Sequence, residues 1–392
     1  MSVEARLVDL LKESVDDVVC RERSAFDELT GRFGKSLVLF GAGGLGRRTL
    51  AGLRRMDISP LAFSDNNPDL WGKEIDGVPI LAPEDAARRF GDSAAFIVTI
   101  WRAGGGHRLS HTRQQLRRLH CSCIVSFAYL FWKYPDIFLS YYCLDLPHKI
   151  IPEREDILAA FKLLADEESR QEYIAQMRFR LFLDFDSLPS PSSSVQYFPD
   201  HLFDLNSEEV FIDCGAFDGD TIRAFMKRMD SLFKRIHALE PDPLNFRQLE
   251  EFIAALPQDV QSRIILHRIA AAEYRGQIGF TVTGNASSAA DATAMMKVDC
   301  APFDQILSAE VPTYIKLDIE GAEMDALKGA AGLIRQHKPV LAVSVYHQQD
   351  HLWRIPLYLK TLFPDYQFFL RPHNEEAWDL VCYAIPKERV VR

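Results

Sequence analysis

The sequence is poor in cysteine: seven in 392 residues, an odd number with no CxxC pair, which reads as reduced thiols in a cytoplasmic protein. It has no clean run of the roughly 20 apolar residues that a membrane span requires. Its most apolar region, residues 127–146, is interrupted by Lys133, Pro135 and Asp136, and reads as buried helix and loop. Basic charge is not in excess either. A net charge of -10 argues against a dedicated nucleic-acid surface, which needs a clustered basic face. The N-terminus lacks the apolar h-region of a secretion signal. There is no repeat at a solenoid period; Asp318, Glu320, His347 and His373 are of types that can ligate a divalent metal, but no HExxH or other tight ligand spacing calls for one.

What is present is strand–helix alternation, enough for two domains of ordinary size. Residues 1–33 read as a helical lead-in. From 34 to 130 the apolar runs SLVLF, PLAFSDNN, GVPIL, AAFIVTIW and CIVSFAYLF read as five strands separated by helical stretches. Residues 131–194 form a helical connector that ends in the linker LPSPSSS. A second α/β domain spans 195–392, with QIGFTV and AMMKVDC as an antiparallel excursion and YQFFLRP and LVCYAIP as a closing hairpin. The fold class is α/β, two Rossmann-like doubly wound domains joined by a helical connector.

Each domain carries a glycine loop after a strand. In the first, Gly41, Gly43 and Gly46 match GxGxxG, and Asp65 lies where a ribose-binding acid belongs. NAD is one candidate ligand. In the second, Gly215 and Gly219 follow the strand VFID, whose last residue is Asp213, and Glu240 ends the next strand, IHALE. An acid at the first strand's tip repels a pyrophosphate but accepts hydrogen bonds from the amino-acid part of S-adenosylmethionine (SAM), which favours SAM over NAD. Taken alone, one glycine-rich turn is as well explained by an ordinary strand–helix turn with capping acids.

Downstream, VFIDCGAFDGDT, HALEPDP, NASS, YIKLDIEGAE, SVYH and LVCYAIP follow in the order and spacing of the FkbM-family methyltransferases. The resemblance covers about 195 to 388, and its most specific piece is IKLDIEGAE at 315–323. It implies a class I SAM-dependent fold, a seven-stranded mostly parallel sheet with one antiparallel strand, and methyl transfer to oxygen. It also implies that Asp213, Gly215 and Gly219 cradle the methionine part of SAM and that Glu240 binds its ribose. Ser287 and Ser288 would lie near the cofactor, with Gln196 and Tyr197 closing over it. The stretch from SLVLFGAGGLG to VPILAPED resembles the nucleotide-sugar-binding domain of sugar acyltransferases, which makes a nucleotide or nucleotide sugar a second ligand.

Methyl transfer needs in-line placement of the acceptor and, for a hydroxyl, a base. Asp318 and Glu320 follow one strand and His347 follows the next, so the expected base is His347, with Asp318 or Glu320 as its orienter or as substrate ligands. Helix capping is the competing role for Asp318, and Lys316 is expected to pair with a carboxylate. His373, on a loop, reads as solvated. The functional expectation is a SAM-dependent O-methyltransferase acting on a sugar hydroxyl of a glycan, glycolipid or nucleotide sugar. A polyketide-type small-molecule acceptor is the alternative within the enzyme class, and a non-catalytic nucleotide sensor regulating glycan assembly is the rival outside it. A homodimer is compatible with the sequence.

Overall fold

The computed structural model describes residues 2–192, 195–282, 284, 288–290, 294–307 and 310–391. The chain divides into two compact units. Unit 1 comprises Met1–Leu158, Gln171–Pro191 and Asn374–Trp378; unit 2 comprises Ala159–Arg170, Ser192–His373 and Asp379–Arg392. All seven cysteines are free. Among the described residues no helix is long and apolar enough to cross a membrane.

Unit 1 holds a six-stranded sheet built from β1 (Leu37–Phe40), β2 (Ala62–Ser64), β3 (Glu74–Ile75), β4 (Val78–Leu81), β5 (Ala95–Val98) and β6 (Cys123–Ser126). Its order is β3-β4-β2-β1-β5-β6, parallel except for β3. Every side chain of β1 is buried, as expected of a central parallel strand covered on both faces. The two-residue strand β3 escaped the sequence reading. It is joined to β4 by Asp76 and Gly77, both at positive φ (48° and 77°), the conformation a tight hairpin turn demands. The run CIVSFAYLF is also not one strand: β6 stops at Ser126, whose hydroxyl accepts the Ala128 N–H and caps the helix Phe127–Lys133. A continuous apolar run does not distinguish a buried strand from a buried helix, and here the capping serine decides.

Unit 2 contains β7 (Val210–Cys214), β8 (Arg235–Leu239), β9 (Ile264–His267), β10 (Ala270–Ala271), β11 (Gly276–Thr281), β12 (Ala289–Ala290), β13 (Lys297–Ala301), β14 (Tyr314–Leu317), β15 (Val340–Ser344), β16 (Tyr366–Pro372) and β17 (Leu380–Pro386). Seven of them form the sheet β16-β17-β15-β14-β7-β8-β9, in which β17 alone runs antiparallel to its neighbours. This is the seven-stranded arrangement with one reversed strand that the sequence resemblance implied. β11 and β13 pair antiparallel in a smaller sheet, the excursion expected from QIGFTV and AMMKVDC.

Aromatic packing fixes the centre of this sheet. Phe211 of β7 lies 4.6 Å from the Phe225 ring and 5.1 Å from the Tyr314 ring of β14, centroid to centroid, and all three are fully buried. Each such side chain contributes on the order of 2–3 kcal/mol by leaving water. The register that results sets Tyr314 opposite Phe211 and Leu317 opposite Cys214, while β15 places Val343 beside Leu317. The carboxyl ends of β7, β14 and β15 therefore terminate side by side.

Candidate active site

After β7 the chain turns through residues 215–219, and the glycines there answer to the protein's own packing. Gly215 has φ +81°, and a Cβ on it would sit 2.0 Å from the carbonyl oxygen of Asp318. Gly219 has φ +88°, and its Cβ would sit 2.5 Å from the Phe252 ring. Neither position tolerates a larger residue without moving a neighbour. The N–H groups of Gly215 and Ala216 both bind the Leu239 carbonyl, at 3.0 and 3.1 Å, which folds the loop against the end of β8.

Glu240, one residue past β8, closes the loop. One carboxylate oxygen accepts the Phe217 N–H and the other the Asp242 N–H, each at 2.9 Å. Burial pushes its pKa up to about 7 against the pull of these donors. Asp242, absent from the sequence prediction, is fully buried and caps the helix Pro243–Ala254. It also accepts the Gly284 N–H at 3.2 Å and the Ser288 hydroxyl at 2.5 Å. Burial opposes its charge, but these hydrogen bonds hold its pKa below the ordinary value. Ser288 is thus tied to the loop region through Asp242. Ser287 lies outside the described residues, and Gln196 is half-buried in the turn before Tyr197.

Asp213 is paired inside the sheet. It faces Lys316 across the β7–β14 pairing, Nζ to Oδ1 3.0 Å, with exposures of 0% and 2%. Lys316 also donates to the Gly215 carbonyl at 2.6 Å. Burial raises Asp213 to about 6 despite the ammonium, and Lys316 is held above its ordinary pKa because the carboxylates outweigh its own burial.

The tips of β14 and β15 bring the expected catalytic residues together. His347 Nε2 lies 3.5 Å from Asp318 Oδ1 and 3.6 Å from Glu320 Oε1. The orienting carboxylate, however, is Glu323, the last residue of the IKLDIEGAE segment. Its Oε1 lies 2.7 Å from His347 Nδ1 and accepts the Ile319 N–H at 2.9 Å, while Oε2 lies 3.2 Å from His351 Nδ1. Its position five residues after Asp318 gave a signal only once the helix Glu323–Gly329 turned it back under the strand tip. Burial works against the imidazolium, yet Glu323 and Glu320 override it and hold the His347 pKa well above its usual value. Burial raises Glu320, whereas His347 and His351 outweigh burial and depress Glu323. Glu320 itself sits at φ +54°, and Gly321 follows at φ +103°.

Tyr197 donates its hydroxyl to Asp318 Oδ2 at 2.7 Å, and its N–H binds the Tyr383 hydroxyl at 3.0 Å. It is buried beside the cluster. His373 is half-buried and hydrogen-bonded through Nε2 to the same Tyr383 hydroxyl at 2.8 Å, so it supports Tyr197 from behind. Asp318, Glu323 and His347 place ligand-type atoms within 4.8 Å of one another.

The sequence from 213 to 376, which carries the loop, both strand tips and the Glu323 helix, matches the family described as the methyltransferase FkbM domain. Residues 213–376 form an FkbM methyltransferase domain. The protein is a methyltransferase on that ground. Its fold is similar to that of a methyltransferase FkbM from Methylobacillus flagellatus KT, with TM-score 0.80 at 23% identity over 98% of this chain and 99% of that one. A precorrin-6y C5,15-methyltransferase from Geobacter metallireducens matches 46% of this chain and 81% of its own, at 13% identity and TM-score 0.29. No curated protein matches the sequence.

Outside the FkbM domain, the GxGxxG loop of unit 1 shows a comparable self-packing. A Cβ on Gly46 would meet the Gly41 carbonyl oxygen at 2.0 Å, and Gly41, at φ +118°, lies against Thr99 and Ile100. Asp65 accepts the Ala42 N–H at 2.7 Å on one oxygen and the Asn67 N–H at 2.8 Å on the other. Gly43 and Gly44, at the start of the helix Gly44–Arg54, face open space.

Proposed function

We propose that the FkbM domain transfers the methyl group of SAM to a hydroxyl oxygen, and that the acceptor is a sugar hydroxyl of a glycan, glycolipid or nucleotide sugar. The observation that carries this reading is the pair of carboxylates flanking His347 Nε2 at 3.5 and 3.6 Å. A neutral amine acceptor needs no proton removed before attack, but a hydroxyl does, and a site lined by Asp318, Glu320 and His347 suits that task. Two carboxylates also make good acceptors for the neighbouring hydroxyls of a sugar. Glu240 keeps lone pairs for the ribose of SAM, and the Gly215–Gly219 turn receives its methionine part. Asp213 supports that turn through Lys316 and Gly215.

The seven free thiols suit a reducing, cytoplasmic setting. For unit 1 the open approach to Gly43 and Gly44 at a helix start favours a nucleotide or nucleotide sugar as ligand. The test of the main reading is formation of S-adenosylhomocysteine with a panel of glycans, nucleotide sugars and polyketide-type alcohols, with the methylated atom located by NMR. A methyl ether on a sugar is expected. A methyl group on nitrogen or carbon, or failure of the protein to bind SAM by calorimetry, would overturn it.

A further inference from the structure

Resting on that reading, we infer that Asp318, Glu320 and His347 form a divalent-cation site that holds and acidifies the acceptor hydroxyl. The first argument is geometric. For bonds of about 2.1 Å, neighbouring ligand atoms around a cation are roughly 3.0–3.4 Å apart. Nε2 of His347 lies 3.5 Å from Asp318 Oδ1 and 3.6 Å from Glu320 Oε1, so each of these two contacts exceeds that span by only a few tenths of an ångström. Asp318 Oδ1 accepts no hydrogen bond among the described residues, because Tyr197 binds the other oxygen.

The second argument is the group behind the histidine. A metal-bound imidazole characteristically gives its far nitrogen to a carboxylate, which fixes the ring and strengthens the ligand. Glu323 does this at 2.7 Å and is itself immobilised by the Ile319 N–H and by burial (0% exposed). It is therefore the supporting carboxylate and not a ligand. The third argument is charge. Asp318, Glu320 and Glu323 bring three carboxylates around two imidazoles, His347 and His351, and the nearby ammonium of Lys316 is committed to Asp213. Even with both imidazoles protonated one negative charge is left over, and a divalent cation balances that excess.

Side-chain exposures of 24% for Asp318 and 18% for Glu320 leave the outward side of the cluster open to water and substrate. The imidazole in the set suits iron or zinc and the two carboxylates suit manganese, so a mixed nitrogen and oxygen set of this kind favours a transition metal over calcium. On such a cation the acceptor hydroxyl loses its proton to solvent. Its oxygen lone pair then forms the new O–CH3 bond while the C–S bond of SAM breaks and leaves its electron pair on sulfur, giving a methyl ether and S-adenosylhomocysteine. Nε2 is a ligand in this scheme, and the proton that the sequence reading assigned to His347 leaves from the cation-bound hydroxyl.

The experiment uses the full chain, stripped with chelator and desalted. Manganese(II) alone is titrated against it, and the loss of the free-ion electron paramagnetic resonance signal is followed. One equivalent should bind per chain. Asp318→Asn and Glu320→Gln, with folding checked by circular dichroism, should weaken binding at least tenfold, and Glu323→Gln by about 10–100-fold. Absence of manganese binding to the stripped wild type, equal binding by the variants, or full methyl transfer by metal-free protein each overturns the inference. SAM calorimetry on the same stripped protein separates the two claims: manganese binding without SAM binding removes the methyl-transfer reading and keeps the cation site.

Discussion

Replacing Lys316 by methionine isolates the charge at the centre of the sheet. The substitution keeps most of the side-chain volume but leaves the Asp213 carboxylate, 0% exposed, without the ammonium now 3.0 Å away. It also strips the Gly215 carbonyl of its donor at 2.6 Å. Breaking a buried pair from one side costs about 3–5 kcal/mol, and the lost hydrogen bond adds about 1 kcal/mol. With its partner present, burial already lifts Asp213 to about 6; without it the value climbs further. A carboxyl whose folded pKa exceeds its unfolded one holds its proton more tightly when folded. The charge part of the penalty is therefore absent below about pH 4 and grows by up to about 1.4 kcal/mol per unit until the pH passes the folded pKa. Equilibrium urea unfolding of wild type and Lys316→Met at about pH 5 and about pH 8 reads this directly, with the larger loss expected at the higher pH. Removing both charges in Asp213→Leu/Lys316→Met should restore most of the stability. A loss under about 1 kcal/mol, or one identical at both pH values, refutes the charge argument.

Three further outcomes are expected. Gly215→Ala must move the Asp318 carbonyl, which would lie 2.0 Å from the new Cβ, and must hold alanine at φ +81°; a destabilisation of about 3 kcal/mol or more and loss of SAM binding should appear in thermal unfolding and calorimetry. Since the Glu240 pKa is about 7 and its ionised form accepts ribose hydroxyls best, SAM affinity should fall by up to about tenfold per pH unit below neutrality, a trend calorimetry would show to be absent in Glu240→Gln. In unit 1, Glu376 is buried, accepts the Leu109 N–H and has its pKa raised to about 7, so its ionisation costs stability as pH rises from about 4.5 to about 7. Glu376→Gln should flatten that loss and melt higher than wild type in alkaline buffer.

Much of unit 2 was legible because its strands are bounded by sharp signals. VFID ends in an acid and a glycine, YIKL ends in Asp318, and LAVSV ends in Tyr346 and His347; each is an apolar run with a polar tip. The strand β3 and the end of β6 were not legible. A two-residue strand has no periodicity to detect, and an apolar run continuing from strand into helix hides its boundary. Asp242 was overlooked for a different reason. Its sequence signal, an acid ahead of a proline, announces only a helix cap, and its second duty toward Gly284 and Ser288 arises from a segment more than 40 residues away.

By itself the sequence determined the alternation of elements, both glycine loops, and which acids and histidines stand at strand ends, because these follow from local periodicity and turn chemistry. Tertiary structure decided which of those groups meet. Parallel registry between β7 and β14 buries Lys316 against Asp213, and the turn at Glu320 and Gly321 swings Glu323 beneath His347, leaving Nε2 toward Asp318 and Glu320. Side-chain partners across parallel strands are chosen by packing of the aromatic core around Phe211 and Tyr314, a long-range property that no window of sequence contains.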